Sequence, residues 1–518
     1  MREHHAGLVS GVVFGLVLVT AMLPVAASDL AAPGTTETRS TDEVVALTEL
    51  RANLTELVDH PARRNESWSI LAVSLDRGDT LFARAPDHAL APASNIKLFT
   101  TAAALEYLGV SHRFGTYLLA DGPIRGGVLE GNLYLYGTGD PTLGTRFASM
   151  PAPALRALAD TLELLGIHRV VGDVVGDGSY FSGPSAGYGW QPAYMNAWYA
   201  TPSGALSVHE NLVQVQVEPG VAGGPPELEF IPGGAGVAVL NEAVTGGSGR
   251  VRVVRSSYEG PIYISGAVTG SVTHAVPVGD PAMYTAALFR DILEERDIVV
   301  HGVARTIMDK NESPVTGPQA FAPLLEPDSQ LRVLAEHRSR PLQEILEVIN
   351  QRSHNFYTEQ VLRATGRAAV GVGSAAAGGH AVRQVLARAG VDTTQVFIAD
   401  GSGLSPYNQA SAADFVALLT YVAASPYAED FIASLPVAGE VRRFRRMRGT
   451  PAEGNLHAKT GTITRVSSLS GYVTAANGER IAFSIIGNNL GSVAQGKHIE
   501  NVIGAQLASF DRAAVFTD

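Results

Sequence analysis

Hydrophobic and polar positions divide the chain into three stretches of different pattern. Near both ends, strand-like alternation occurs together with helical spacing, whereas the middle consists of short alternating runs separated by glycines. The first stretch predicts a helix over Glu43–Val58, strands over Ser67–Ser74 and Thr80–Arg84, and a helix that begins at Ser94. Since the last stretch again predicts helices and a strand hairpin, we expect one helix-and-sheet domain that is interrupted by an insertion.

The middle stretch, residues 114–324, predicts mainly strands. They are short runs at Phe114–Ala120, Gly131–Tyr136, Val170–Val175, Leu212–Val217, Val251–Val254 and Ile262–Val268. Two helices are predicted among them, at Ala152–Gly166 and Asp280–Arg296. We therefore expect a mostly β insertion of two subdomains, which separates a first part of the main domain, residues 43–113, from a second part, residues 325–518.

The last stretch becomes helical from about residue 334. The predicted helices are Pro341–Gln351, Asn355–Gly366, Ser374–Gly390, Ser411–Ala424 and Ala428–Leu435. Ser374 and Ser411 suit as N-caps, because a serine hydroxyl can accept a hydrogen bond from an unpaired N–H of the first turn. A hairpin of Val466–Ala475 and Arg480–Gly487 follows, and a last helix runs from about Gly491 to Ser509.

The N-terminus has the order of a secretory signal peptide. Arg2 precedes an apolar run from Leu8 to about Val25, and small residues come before Ser28. We expect residues 1–27 to be cleaved and residues 28–42 to form a disordered leader, with an uncleaved membrane anchor as the alternative. No other stretch has the length and apolar character of a bilayer span, so we expect no stable membrane span after cleavage.

Composition excludes several classes of function. The 518 residues carry a formal net charge of -12, which argues against a general nucleic-acid binder. There is no cysteine, so thiolate catalysis and cysteine-ligated metal centres are excluded. The histidines show no metal-ligand spacing, and we expect neither a catalytic metal nor another cofactor.

Lysine is rare in this chain, and its few positions point to chemistry. Only Lys97, Lys310, Lys459 and Lys497 are lysines among the 38 Lys and Arg residues. Arginine cannot act as a base near neutral pH, whereas a buried lysine can, because burial lowers the pKa of an ammonium group. Lys97 is the one lysine with a serine, Ser94, three residues before it, and on a helix these two side chains share a face. The alternative is an N-cap serine followed by a solvated lysine.

Two further motifs can complete a site with this pair. Ser353-His354-Asn355 opens a predicted helix and offers a second hydroxyl and a carboxamide, although it could also be a simple N-cap. Lys459-Thr460-Gly461-Thr462 stands where a strand should begin. Its threonine hydroxyls could bind a carboxylate and Gly461 would let a ligand approach the backbone, the alternative being an edge strand with an exposed lysine.

In the order S-x-x-K, S-x-N and K-T-G, the three motifs resemble the set of the serine penicillin-recognising enzymes. More narrowly, the chain resembles the D-alanyl-D-alanine carboxypeptidase/endopeptidase family, the class C low-molecular-mass penicillin-binding proteins. The stretches that carry the narrower resemblance are Pro92–Leu98, Gly139–Leu143, Ala205–Asn211 and Asp400–Ser405. His354 departs from the aspartate or asparagine that is usual in this family. The gap between Lys97 and Ser353 fits a large insertion and is too long for a plain β-lactamase.

The resemblance implies an α/β (α+β) fold, a serine β-lactamase/transpeptidase-like domain in which helices flank an antiparallel sheet. It implies an exported enzyme, periplasmic or extracellular and associated with the cell wall, that acts on peptidoglycan stem peptides and is inhibited by β-lactams. The implied catalytic residues are Ser94 as nucleophile, Lys97 as base and Ser353 as proton relay. The implied substrate-binding residues are Asn355, Lys459, Thr460, Gly461 and Thr462.

Three further expectations follow from the same resemblance. The backbone N–H groups of Ser94 and Thr462 are expected to form an oxyanion hole, and Asp177 of the insertion is a candidate to contact the free amine of the stem peptide. The alternatives are a β-lactamase, esterase or D-amino-acid amidase of the same fold, and a non-catalytic cell-wall sensor. Retention of all three motifs argues against the sensor.

Overall fold

The computed structural model describes residues 41–148, 150–315, 331–440 and 444–512. The expected signal peptide lies outside these ranges, and so does the expected leader apart from Thr41 and Asp42, which belong to the first helix. None of the helices in the described ranges combines the length and the apolar character that a membrane crossing requires.

Each α-helix in the described ranges matches a helix predicted from the sequence. In chain order they are α1 (Thr41–Val58), α2 (Lys97–Leu108), α3 (Pro153–Leu164), α4 (Pro281–Glu294), α5 (Leu342–Arg352), α6 (Asn355–Val370), α7 (Ala375–Arg388), α8 (Ala412–Ala423), α9 (Ala428–Ser434) and α10 (Val493–Ser509). Both predicted N-caps are confirmed. The hydroxyl of Ser374 accepts from the N–H of Ala377 at 3.1 Å, and Ser411 forms a reciprocal capping box with Asp414.

The strands are more numerous than the sequence predicts. In chain order they are β1 (Ser67–Ser74), β2 (Thr80–Arg84), β3 (Gly115–Ala120), β4 (Ile124–Arg125), β5 (Val128–Leu129), β6 (Leu133–Gly137), β7 (Arg169–Val170), β8 (Val174–Asp177), β9 (Leu212–Glu218), β10 (Glu227–Ile231), β11 (Val239–Thr245), β12 (Arg252–Val254), β13 (Ile262–Val268), β14 (Val272–Pro277), β15 (Val299–Val300), β16 (Ala304–Ile307), β17 (Arg332–Arg338), β18 (His457–Ile463), β19 (Val466–Thr474) and β20 (Arg480–Asn488).

One antiparallel sheet joins the two ends of the chain. Its strand order is β18-β19-β20-β1-β2, and β1 pairs with β20 along its whole length, from Ser67 opposite Asn488 to Ser74 opposite Ile481. The predicted hairpins β1–β2 and β19–β20 are both confirmed. This sheet therefore pairs residues that precede the insertion with residues that follow it.

Helices cover both faces of this sheet. Successive residues of a strand point to opposite faces, and Tyr472 of β19 packs into a core with α2 and the helices α5 to α9, whereas Val473 packs with α1 and α10. The core on the α2 side includes stacked rings of Phe99 and Phe415, whose centroids lie 4.3 Å apart. Burial of each such ring contributes about 1.5–3 kcal/mol to the free energy of unfolding. The antiparallel sheet with flanking helices confirms the predicted fold class.

The insertion contains four further sheets. Their strand orders are β15-β7-β5-β4, β16-β8-β6-β3-β17, β10-β9-β14 and β11-β13-β12. The single strand predicted over Val170–Val175 is wrong, because the chain breaks it into β7 and β8. Gly172 lies at the break, where an added Cβ would stand 2.5 Å from the carbonyl oxygen of Gly131. Strand β11 escaped prediction because it is largely exposed and shows no clean alternation.

Strand β17 bears on the expected end of the insertion. The sequence places residues after 324 in the main domain, yet β17 pairs antiparallel with β3, from Arg332 opposite Ala120 to Arg338 opposite Gly115. The expected boundary itself lies outside the described residues. We propose that the insertion extends to about residue 338, and the division of the insertion into two subdomains stays a prediction.

Candidate active site

The predicted nucleophile lies in a tight turn between the sheet and α2. Residues Ala93–Ile96 form a 3-10 helix and Lys97 begins α2, so the α-helix starts three residues later than predicted. This turn still places Ser94 beside Lys97, with 3.1 Å between Ser94 Oγ and Lys97 Nζ. Lys97 is 0% exposed, which rules out the solvated lysine.

The surroundings of Lys97 leave its lone pair for Ser94. Its Nζ donates to Asn355 Oδ1 at 2.8 Å and to the backbone carbonyl of Ser402. A neutral amine has two N–H groups and one lone pair. The ammonium form donates to all three oxygens, whereas in the neutral amine these two acceptors take both N–H groups and leave the lone pair for the hydroxyl of Ser94, which is the arrangement that a general base needs.

The second and third motifs meet at a second lysine. Lys459 Nζ donates to Ser353 Oγ at 3.0 Å and to the carbonyl oxygen of Thr460 at 2.8 Å. Lys459 is 1% exposed although β18 is an edge strand, so the alternative of an exposed lysine is wrong. Ser353 takes the left-handed conformation, with φ 55°, at the junction of α5 and α6.

Gly461 allows a close approach between β18 and the turn that carries Ser94. An added Cβ would stand 2.8 Å from the carbonyl oxygen of Pro92 and 3.0 Å from the nitrogen of Ser94. The glycine therefore lets β18 pack against the turn that carries Ser94, and the approach of a ligand to its backbone stays a prediction. Thr462 lies on the cleft, and Thr460, two residues earlier, is half-buried on the same face of the strand.

The motifs border a shared cleft of about 330 Å³. The residues that line it are Ser94, Tyr194, Tyr199, Ser353, Asn355, Gly403, Leu404, Thr462, Ile463 and Thr464. The main domain supplies the three motifs and the insertion supplies the two tyrosines. The cleft therefore presents the hydroxyls of Ser94 and Ser353, each in contact with a buried lysine, and the carboxamide of Asn355.

Comparison with known proteins decides the family. The sequence model of the D-Ala-D-Ala carboxypeptidase 3 (S13) family matches residues 50–509. The chain belongs to this family. It is a serine-type D-Ala-D-Ala carboxypeptidase and therefore a hydrolase, which confirms the resemblance drawn from the three motifs.

Individual proteins with similar sequences support the assignment to the S13 family. A D-alanyl-D-alanine carboxypeptidase of Actinomadura sp. (strain R39) is 35% identical over 483 residues, which cover 90% of this chain and 85% of that protein. The D-alanyl-D-alanine carboxypeptidase DacB of Haemophilus influenzae is 27% identical over 406 residues, 76% of this chain and 79% of that protein. The crystal structure of penicillin-binding protein 4 from Haemophilus influenzae has a TM-score of 0.71 at 24% identity and covers 88% of this chain and 99% of that chain. This last likeness shows the shared fold.

Burial sets the protonation of both lysines. It lowers the pKa of Lys97 to about 7, although the carboxylates of Asp400 and Glu359 oppose the shift. Burial, together with the charge of Lys97, holds the pKa of Lys459 well below its usual range. Burial is therefore the cause that lowers the pKa of Lys97, since both of these carboxylates raise it. A pKa near 7 suits a base that works near neutral pH.

Asp177 is a wrong candidate for the amine contact. It is 0% exposed, at the end of β8. Its Oδ1 accepts from the N–H of Ser179 at 2.9 Å, and its Oδ2 accepts from the hydroxyl of Ser313. Both oxygens are therefore engaged inside the insertion, and the side chain has no surface to offer a ligand.

Two buried carboxylates that support the site were missed in the sequence. Glu359 Oε1 accepts from the N–H groups of Gly401 and Ser402, each at 2.9 Å. Asp400 accepts from the N–H of Gly403 at 2.7 Å and from the indole N–H of Trp190 at 2.7 Å. Together they fix the loop whose carbonyl holds Lys97. The stretch Asp400–Ser405 was noted as a family motif, but no local pattern shows that it faces Lys97.

Proposed function

We propose that Ser94 cleaves the terminal D-alanine from peptidoglycan stem peptides through an acyl-enzyme. Ser94 Oγ attacks the carbonyl carbon of the penultimate D-alanine while its proton passes to Lys97 Nζ. The C–N bond to the terminal D-alanine then breaks, and that amine leaves with a proton. The observation that carries the proposal is the 3.1 Å distance between Ser94 Oγ and Nζ of Lys97, which is 0% exposed. The other two contacts of this Nζ are hydrogen bonds that it donates.

Ser353 and Lys459 provide a route for the proton that the departing D-alanine receives. The departing amine needs a proton, and a hydroxyl can accept one proton while it donates another. Ser353 lies on the cleft and accepts from Lys459, so it can pass to the leaving amine the proton that Lys97 took from Ser94, which leaves Lys97 neutral again, while Lys459 adjusts the local field. Water then attacks the ester carbon, which frees the shortened peptide and restores the Ser94 hydroxyl.

Substrate binding would use the groups that surround Ser94. Asn355 lines the cleft and would hydrogen-bond the peptide backbone of the substrate with the amide N–H that Tyr199 does not take. The terminal carboxylate would bind Thr460 and Thr462 close to Lys459. The backbone N–H groups of Ser94 and Thr462 would receive the developing oxyanion, where fixed donors lower the barrier by about 2.7–4 kcal/mol per donor.

β-Lactams are proposed to acylate the same hydroxyl. The strained amide takes the place of the D-alanyl peptide bond, and the adduct hydrolyses slowly. A structure of the Haemophilus influenzae penicillin-binding protein 4 is known in complex with a β-lactam. We further propose that the protein is exported to the periplasm or the cell exterior, where peptidoglycan is found, and that it can also cleave D-Ala-linked cross-bridges as an endopeptidase.

The function is tested by the release of free D-alanine from a peptide that ends in D-Ala-D-Ala, with a D-Ala-L-Ala peptide as the matched control. We expect release from the first peptide and little from the second. Rapid penicillin turnover without release of D-alanine would instead support a β-lactamase. Folded protein that shows neither reaction would support the sensor.

The pKa of Lys97 predicts how acylation depends on pH. Only the neutral amine can take the proton of Ser94, so the rate of acylation by penicillin should rise with pH through about 7. Between pH 6 and pH 8 the neutral fraction, and with it the rate, should increase about tenfold. Acylation rates measured across this range, with a thermal melt at each pH, check the prediction. A rate that is constant between these pH values would contradict it.

A further inference from the structure

The junction between α5 and α6, which carries Ser353 and Asn355, has no side-chain N-cap. Helix α5 ends at Arg352, Ser353 is left-handed, and α6 begins at Asn355 with His354 as its N-cap. The side chain of His354 caps no N–H group of α6. Both neighbours of His354 are active-site residues, so whatever fixes this junction also fixes the site.

A glutamate of the insertion reaches this junction. His354 Nε2 lies 3.0 Å from Glu210 Oε2, and His354 is 4% exposed. His354 Nδ1 is buried and has no hydrogen-bond partner among the residues that the structure describes, so we assign the proton to Nε2, which then donates to the carboxylate. The ring also lies edge-on to Tyr357 and Trp198, with centroids 4.8 Å and 6.0 Å away.

The turn that presents Glu210 is strained and well anchored. His209, Glu210 and Asn211 all have positive φ, at 53°, 59° and 56°. Each such non-glycine residue costs about 1–2 kcal/mol, so the surrounding contacts must hold the turn in place. Asn211 Nδ2 donates to the carbonyl of Pro202 at 2.7 Å, and Arg146 Nε donates to Glu210 Oε1 at 2.7 Å.

The charge of Glu210 is compensated inside the insertion. Although burial opposes the shift, the hydrogen bond from His354 and the charge of Arg146 lower the pKa of Glu210 to about 2. The carboxylate is therefore a permanent acceptor at any pH where the enzyme would work. Burial also lowers the pKa of His354, which favours the neutral ring that donates from Nε2.

We propose that Glu210 and His354 are positioning residues through which the insertion holds Ser353 and Asn355 in register with the two lysines. The inference rests on the proposed function of these motifs. The same segment of the insertion makes a second contact of this kind, because Asn355 Nδ2 donates to the carbonyl oxygen of Tyr199 at 2.9 Å. Glu210 and Tyr199 thus hold adjacent residues of the junction, and Ser353 is kept against Lys459 and Asn355 against Lys97.

The test is the rate at which penicillin acylates variants of this pair. Glu210→Ala should slow acylation by about tenfold to a hundredfold, because a displacement of about 1 Å in a catalytic group can cost that much. Glu210→Gln keeps an acceptor oxygen of the same reach, so its rate should stay within about threefold of the wild type. His354→Asn should lose as much as Glu210→Ala, and the double variant should lose no more than either single one, because the two residues act through one hydrogen bond.

A matched control separates positioning from stability. Glu479 is 6% exposed and accepts from Arg512 Nε at 2.9 Å. It directly precedes β20, whereas Asn488, which accepts from the N–H of Ala91 near Ser94, is the last residue of that strand. Glu479→Gln should lower the melting temperature and leave the acylation rate of the folded protein unchanged. If Glu210→Ala does not fold, His354→Asn, which leaves Glu210 paired with Arg146, gives the same test.

Two results would overturn the inference. Folded Glu210→Ala or His354→Asn that acylates at the wild-type rate would show that the pair does not position the site. Additive losses in the double variant would show that the two residues act separately. Wild-type protein that forms no acyl-enzyme would instead refute the proposed function, and this inference would fall with it.

Discussion

Lys97→Arg is expected to lower the rate of Ser94 acylation by about a thousandfold, within the range that a general base contributes. Arginine keeps the positive charge but cannot give up its proton near neutral pH. The replacement also has no room, because Lys97 is 0% exposed and is held by Asn355 and the carbonyl of Ser402. The rate of formation of the penicilloyl adduct measures this loss directly.

The matched control is another of the rare lysines. Lys310 lies in an exposed turn, and Lys310→Arg should acylate at the wild-type rate. Folded Lys97→Arg that acylates within about tenfold of the wild type would show that Lys97 is not the base, since general bases contribute at least about a hundredfold.

Gly403→Ala is expected to cause the second-largest loss of acylation rate, although a glycine has no side chain that could take part in the reaction. Gly403 has φ +77°, and an added Cβ would stand 2.0 Å from the carbonyl oxygen of Ala93 and 2.8 Å from the nitrogen of Ser94. Both neighbours are backbone atoms of the nucleophile turn and cannot rotate away. The turn must shift, and we expect acylation to fall by about a hundredfold or more, together with a lower melting temperature.

Gly390 provides the comparison for this substitution. It has φ +82°, but an added Cβ would meet no atom within 4 Å. Gly390→Ala should therefore cost only the strain of the left-handed conformation, about 1–2 kcal/mol of unfolding free energy, and leave acylation unchanged. Equal acylation rates for the two variants would contradict the role given to Gly403.

The sequence was most informative where local pattern decides structure. Strands Ser67–Ser74 and Thr80–Arg84 could be predicted to the residue, because their apolar residues either alternate with polar ones or form a continuous run on each side of a turn. The two rare lysines of the motifs, Lys97 and Lys459, could be selected as chemical groups because arginine serves elsewhere. Their burial follows from packing between segments hundreds of residues apart, which only the structure reveals.

Other parts of the site left no local signal. The contact of Lys97 with Ser402 is made to a backbone carbonyl, which every residue possesses, so the sequence cannot single it out. Gly461 could be recognised as a close approach, but the approaching group, the turn at Ser94, could not. The Glu210–His354 pair depends on the left-handed turn at residues 209–211, and Glu210 itself has no strong preference for that conformation.

The most direct test of the central claim is the intact mass of the purified protein before and after penicillin, measured for the wild type and for Ser94→Ala. We predict one stable adduct with the mass of penicillin on the wild type and none on the variant, with both proteins folded. An adduct that persists in Ser94→Ala, or its absence from folded wild type, would contradict the assignment of Ser94 as the nucleophile.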